Sequence, residues 1–313
     1  MYAFILKRVV ATIPVMGVVA VVVFLMLRLA PGDPAAVLAG DAATPESIAR
    51  IRTALGLDEP IHTQFVIWMG RLLRGDLGTS IISNVPVTTM IQQRLEPTLA
   101  LATTTIVFAV VVAVPMGVLA AWRHGTWVDR LVMVFSVLGF SVPVFVLGYA
   151  YIYGFAMTLK WLPVQGYVSI GQGFWPFLQR LILPTLTLSV IYIALIARIT
   201  RASVLEVLGE DYIRTAHAKG VVERRVLVRH ALANAAVPIV TVIGLGIALL
   251  IGGVVVTESV FNLPGLGRLT VDAVLARDYP IIQGLILIFS GVYVLLNLAI
   301  DITYTVLDPR IRY

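Results

Sequence analysis

The sequence predicts an all-α integral membrane protein with six membrane-spanning helices and a small helical segment between the first two. Three observations lead there. Apolar residues make up 59% of the 313-residue chain and charged ones only 13%, with a mean hydropathy of +0.96, so there is too little polar surface to cover a water-soluble globule of this size. Six uncharged runs are long enough for the roughly 17 to 25 residues that a helix needs to cross a bilayer. The basic residues crowd into alternate loops, as they do when those loops are cytoplasmic.

The runs are Val9 to Leu27, Thr98 to Trp122, Leu131 to Leu159, Leu181 to Ala197, Ala231 to Thr257 and Tyr279 to Ile300. The first follows Lys7 and Arg8 in the manner of a signal peptide. Its uncharged stretch exceeds the usual apolar core of about 7 to 15 residues, so it is expected to stay as an uncleaved anchor. An even number of spans puts both termini on one side. Lys7, Arg8, Arg123, Arg130, Arg198, Arg201, Arg214, Lys219, Arg224, Arg225, Arg229, Arg310 and Arg312 share that side, against Lys160, Arg180, Arg268 and Arg277 opposite. The termini are therefore expected in the cytoplasm, and the net charge of +6 reads as a topology signal and not as a nucleic-acid footprint. The chain has no cysteine, which excludes disulfides and thiolate chemistry.

Residues 31–96 are expected as an external helical cap. Thr44 and Pro45 open a helix that sets Ile48, Ile51 and Leu55 on one face and stops at Gly56. A second helix carries Ile61, Phe65, Trp68, Met69 and Leu72 at helical spacing and ends at Gly75, its aromatic pair suited to packing. A third begins at Pro86 with Val87, Met90, Ile91 and Leu95. The first span, with the residues before Pro31, precedes this cap, and residues 97–313 form the core of five further spans with a cytoplasmic loop over 199–230. Proline and glycine inside the runs (Pro14, Pro115, Gly117, Gly139, Pro143, Gly148, Gly244, Gly246, Gly252, Gly253) imply a closely packed bundle that bends.

None of the six runs contains a charged residue, whereas an ion-coupled carrier or pump usually needs an ionisable group at mid-depth. Arg28, Glu258 and Asp301 stand at run ends, where a side chain reaching interfacial water is the expectation. No metalloprotease helix, phosphate-binding glycine loop or nucleophilic triad is present, and the four histidines are scattered, so neither a catalytic nor a metal site is expected. The chain shapes a path without a visible means of driving anything through it.

The exception to this apolar character is the loop from Ile199 to Arg229. Glu210 and Asp211 occupy a first turn, Lys219 a last turn and Gly220 the terminating position, which defines a helix of about ten residues. Tyr212, Ile213 and Ala216 share one face, while Arg214 and Lys219 point elsewhere. Such a face suits either a partner protein or lipid headgroups, and spacing alone does not choose between them.

The stretch Leu205-Glu-Val-Leu-Gly-Glu-Asp-Tyr-Ile-Arg-Thr-Ala-His-Ala-Lys-Gly220, followed by Arg229-His-Ala-Leu-Ala-Asn-Ala-Ala-Val-Pro238, resembles the cytoplasmic signature of ABC-transporter permeases of the dipeptide, oligopeptide and nickel uptake family, nearest its dipeptide-permease branch. The likeness extends along the chain. It includes Arg28-Leu-Ala-Pro-Gly-Asp-Pro34, Gly75-Asp-Leu-Gly-Thr-Ser80, Ser141-Val-Pro143 with Phe145, Glu258-Ser-Val-Phe-Asn-Leu-Pro-Gly-Leu-Gly267, Arg277-Asp-Tyr-Pro280 and Asp308-Pro-Arg-Ile-Arg312. One departure concerns the general importer signature of Glu-Ala-Ala, three residues, then Gly. Arg214-Thr215-Ala216 stands at its first positions, so only the last alanine and Gly220 remain, as is usual in the peptide branch.

The resemblance implies a type I ABC importer permease fold in a bacterial inner membrane. It implies a non-enzymatic subunit that pairs with a second permease as a heterodimer, binds two ATPase subunits inside and receives di- or oligopeptides from an extracytoplasmic binding protein. ATP and Mg would then bind the ATPases, leaving no cofactor in this chain. Glu210, Asp211, Tyr212, Ile213, Arg214, Thr215, Ala216, Ala218, Lys219 and Gly220 are expected as the coupling element, with Tyr212, Ile213 and Ala216 in the ATPase groove and Arg214 and Lys219 at its rim. Phe140, Ser141, Pro143 and Phe145 are the pore-lining candidates, and Glu258, Pro264, Gly265 and Gly267 those for an outer gate. Uptake of nickel or another small ligand is the alternative within the family, and a passive channel the alternative outside it.

Overall fold

The computed structural model describes residues 2–29, 35–36, 44–54 and 56–307. The amino-terminal motif beyond Leu29 and the carboxy-terminal Asp308–Arg312 motif lie outside the described residues. Helix dominates. α1 is Tyr2–Leu29, α2 Pro45–Ala54, α3 Ile61–Leu73 and α4 Val87–Trp122; α5 is Trp127–Ser141 and α6 Val144–Tyr151, the latter continued as a π-helical stretch, Ile152–Thr158. α7 is Phe174–Leu208 and α8 Asp211–Ala218. After a turn at Glu223–Arg225 and a second π-helical stretch, Val226–Leu232, come α9 Ala236–Val260, α10 Leu266–Leu275 and α11 Tyr279–Leu307. α1, α4, α7, α9 and α11 are each long and apolar enough to cross a membrane, and α5 with α6 supplies a sixth passage if the bent pair counts as one span.

The run from Leu131 to Leu159 breaks after Ser141, and the two halves meet at 101°. Pro143 is the cause. The residue before a proline is pushed out of helical geometry, and Val142 accordingly sits extended at φ −93°, ψ 122°. The third cap helix, expected as separate, is the first part of α4, which runs through Pro97 without interruption for 36 residues.

The described residues fall into two compact units. One comprises Glu96–Arg268 with the described residues of both ends, up to Ile5 and from Leu295; the other comprises the described residues between Leu6 and Leu95 with Leu269–Val294. In the first unit α7 is the axis, with 61% of its spanning window buried against 33% for α4 and for α9. Leu181, Leu188, Tyr192, Ile193, Ile196 and Ala197 are among its contributions to the core. Lipid offers no hydrophobic drive to bring helices together, so close approach between small residues takes that part. Gly117 of α4 illustrates it: a Cβ there would lie 2.7 Å from the Ala197 carbonyl and 2.6 Å from Cβ of Thr200.

In the second unit the stripe on α3 packs as expected. Phe65 meets Phe24 of α1 edge to face at 5.0 Å between ring centres, and Trp68, Met69 and Leu72 close over Ala20, Val23 and Leu287. α2 opens with the Ile48 amide on the Thr44 carbonyl and closes at Gly56, whose φ of +67° suits glycine.

Candidate functional site

Two residues, Gly209 and Glu210, separate the end of α7 from the start of α8. Glu210 occupies its N-cap position, and its carbonyl accepts the amide of Ile213 at 3.0 Å. At the other end the Val221 amide reaches back to the Ala216 carbonyl at 3.1 Å and the Gly220 amide to His217 at 2.9 Å, with Gly220 at φ +72°. This is the paired closure that a left-handed residue permits, and it explains why a glycine stands there. The sequence thus sets both ends of the helix, although its regular part is Asp211–Ala218, two residues shorter than expected.

The face of the helix differs from expectation. Ile213 is 1% exposed and Ala216 is also buried, both packed with Val226 and flanked by Val207, Leu208 and Val221 of the chain's own loop. They are therefore not at the free surface, and this inward seat removes their apolar side chains from water. Tyr212 alone of the three stays open, at 43%. Around it the free face carries Glu210, Asp211, Arg214, Thr215, His217, Ala218 and Lys219. Arg214 pairs with Asp211 at 3.2 Å, and His217 Nε2 lies 3.0 Å from Glu223 Oε2, holding α8 to the turn that follows. Partial burial, then the nearby Glu210 charge, raise the Tyr212 phenol, so it stays a neutral hydroxyl.

Asp129 was not singled out by the sequence, and it organises the turn between α4 and α5. It lies in the first turn of α5, with its side chain 6% exposed, and accepts both Nε and Nη2 of Arg201 on α7, the latter at 2.8 Å. The Gly125 amide donates to it at 3.0 Å and His124 Nδ1 lies at 3.1 Å. The result is a forked ion pair that ties the α4–α5 turn to α7. The available signal was a lone carboxylate beside an uncharged run, which composition treats as an interfacial residue.

Phe140, Ser141, Pro143 and Phe145 all lie exposed at the break between α5 and α6. Ser141 donates its hydroxyl to the Val137 carbonyl at 2.9 Å, and the Arg198 guanidinium stands 5.2 Å from the Phe140 ring centre.

Glu258 is fully buried, which corrects the expectation that it reaches interfacial water. Thr98 donates to its Oε1 at 2.6 Å, and the Arg268 amide donates to Oε2 at 2.9 Å. The carboxylate thus accepts an amide in the first turn of α10, where helix geometry supplies no acceptor and negative charge is favoured. A Cβ on Gly265 would sit 2.0 Å from Glu258 Oε1, and one on Gly267 would sit 2.6 Å from Cα of Val255. Pro264 is exposed at the tip of the turn. In the other unit, Asp278 is 2% exposed and accepts the Ser80 hydroxyl at 2.5 Å, with the Ile81 amide at 3.3 Å. Two motifs far apart in sequence, Gly75–Ser80 and Arg277–Pro280, meet there.

This is a bundle of apolar helices with buried polar latches at its turns and a short polar helix set on its own loop: a membrane permease in architecture. The profile of the binding-protein-dependent transport system inner membrane component matches residues 113–313, and that of the corresponding N-terminal membrane component matches residues 1–102. The chain belongs to this family. It is 58% identical, over all of both chains, to a probable peptide ABC transporter permease protein of Sinorhizobium fredii. It is 47% identical over the same full extent to a putative peptide transport system permease protein of Brucella abortus, and 45% to a glutathione transport system permease protein of Salmonella typhimurium. Among solved structures, the MetNI methionine ABC transporter in an inward-facing form superposes with a TM-score of 0.57 at 17% identity, covering 71% of this chain and 97% of that one. The fold is that of a type I importer permease. The chain is a multi-pass inner-membrane transport subunit, and its family works with ATPase partners and a binding protein.

Proposed function

We propose that this permease forms half of an ATP-driven import path for di- and oligopeptides, beside a second, non-identical permease chain. The observation that carries the substrate class is the full-length likeness to proteins named as peptide permeases, together with one named for glutathione, itself a peptide. Two ATPase subunits would dock on the loop around α8, with both termini on that side, as the distribution of Lys and Arg favours. The residues 31–96 then lie outside, where a binding protein delivers substrate.

In this reading ATP closes the ATPase pair, α8 moves with it, and the spans turn the path outward. Tyr212 and the charged residues Asp211, Arg214 and Lys219 make the contact, being exposed members of α8 and its cap; Ile213 and Ala216 instead bind α8 to its own chain. The exposed aromatic and hydroxyl surface at Phe140, Ser141, Pro143 and Phe145 suits a path for a peptide. Glu258 with Pro264, Gly265 and Gly267 acts at the outer mouth by fixing the turn before α10.

Reconstitution tests this. The chain with its second permease, ATPases and binding protein in proteoliposomes should accumulate labelled di- or tripeptides only with ATP on the ATPase side. Peptide leak through this chain alone would make it a channel, and accumulation of nickel with no response to peptides would replace the substrate class.

A further inference from the structure

We propose that Val226–Leu232 is a register joint between α8 and α9, its π-helical turns exchanging with α-helical ones as α8 is displaced. This rests on the reading of α8 as the coupling element. Seven consecutive residues hold π geometry, in which each amide reaches the fifth residue back instead of the fourth. Such turns are rare and concentrate at functional sites, and the widened turn holds slack that an α-helix lacks.

The two ends of the joint sit in different apolar clusters. Val226 is buried with Ile213 and Ala216 beneath α8, while Ala231 is buried with Ala121, Val204, Ala235 and Ile239 among the spans, and Val207 and Leu208 at the end of α7 flank both clusters. A displacement of α8 against the end of α7 would therefore change the distance from Val226 to Ala231 or drag the spans with it. The far side is already loosened. Asn234 donates its side-chain amide to the His230 carbonyl at 2.5 Å, Ala235 leaves helical geometry at φ −83°, ψ 1°, and Pro238 has no amide for the Asn234 carbonyl. The other approach is rigid by comparison, since α7 stays regular to Leu208 and only Gly209 and Glu210 separate it from α8. Slack on one side and stiffness on the other would direct motion of α8 into α9.

Deletion of Val228, which is exposed and outside both clusters, removes one residue from the widened stretch. In the assembled transporter this variant should keep its ATPase subunits through purification yet lose substrate-dependent ATP hydrolysis and peptide uptake. Uptake at the unaltered rate would overturn the joint. Failure of the unaltered chain to retain ATPases would overturn the docking role of α8 instead, so the two failures are distinguishable. Hydrogen exchange on the unaltered complex decides even where the deletion does not assemble. Amide protection across 226–232 should change between the nucleotide-free complex and one held by a non-hydrolysable ATP analogue, while that of 193–197 in α7 stays fixed; equal protection of 226–232 in both states overturns the proposal.

Discussion

Thr98 donates its hydroxyl to Glu258 at 2.6 Å while accepting the Leu266 amide at 2.8 Å, so one short side chain joins α4, the end of α9 and the start of α10. Removing the carboxylate takes an acceptor from the part-buried Thr98 hydroxyl and from the Arg268 amide, a loss of roughly 1–3 kcal/mol. Glu258→Ala should therefore lower the melting temperature of the purified permease. Gly265→Ala should do so too, because its methyl would enter the space of the Glu258 carboxylate. The double variant should lose less than the sum, since shortening Glu258 vacates the space that the methyl needs. Strict additivity would show that the two do not share that contact.

How much of this was visible beforehand depends on what kind of force sets each feature. Span positions follow from local hydropathy, and the ends of α8 follow from Glu210, Asp211 and Gly220, all near in sequence. The aromatic stripe on α3 was legible as packing because Phe65 and Trp68 repeat with the helix. Three things were not legible. Pro143 was recognised as a bend, but not one of 101°, because its angle is set by what α5 and α6 pack against. Glu258 reads from the sequence as an interfacial charge and Asp129 carries no local signal of burial, and only tertiary contacts with Thr98 and Arg201 bury them. The inward seat of Ile213 depends on Val226, beyond the helix itself, whereas spacing within α8 cannot say which face is covered.

The fork between Asp129 and Arg201 gives a graded prediction. Breaking such a pair when fully buried is worth about 3–5 kcal/mol, and less here because Arg201 keeps some contact with water. Arg201→Lys preserves the charge but cannot supply two parallel donors. Thermal stability should therefore fall in the order unaltered chain, Arg201→Lys, Asp129→Ala. A lysine variant as stable as the unaltered chain would mean that the fork geometry contributes nothing.

Ser80 and Asp278 hold the loop after α3 to the turn before α11. A hydrogen bond to a charged group contributes about 1.5–3 kcal/mol. Ser80→Ala and Asp278→Ala should each make the loop over residues 76–84 cleavable by added protease in the folded permease. Because both remove the same bond, the double variant should be cut little faster than the Asp278→Ala chain. Protection that survives both substitutions would show that the loop is held by its own turn, where the Gly78 amide meets Asp76 at 2.8 Å.

The opposite exposures of Tyr212 and Ile213 allow the proposed docking to be tested apart from folding on a single helix turn. Tyr212→Asp changes a surface side chain, so it should leave melting within about 0.5 kcal/mol of the unaltered chain while reducing the ATPase retained through purification. The paired reversal Arg214→Glu with Lys219→Glu should act in the same direction, and more strongly at low salt, where exposed charges are least screened. Ile213→Asp differs in kind. It puts a carboxylate among Ala216, Val226 and Val221, so α8 should lose its seat, and both stability and ATPase retention should fall together. Ile213→Val trims one methylene from the same seat, a loss of about 0.5–1.5 kcal/mol, and should keep the ATPases. Should Tyr212→Asp and the double reversal both retain ATPases as well as the unaltered chain does, the partner does not use the exposed face of α8. The contact would then have to be sought on the neighbouring surface of Glu223, Arg224 and Arg225.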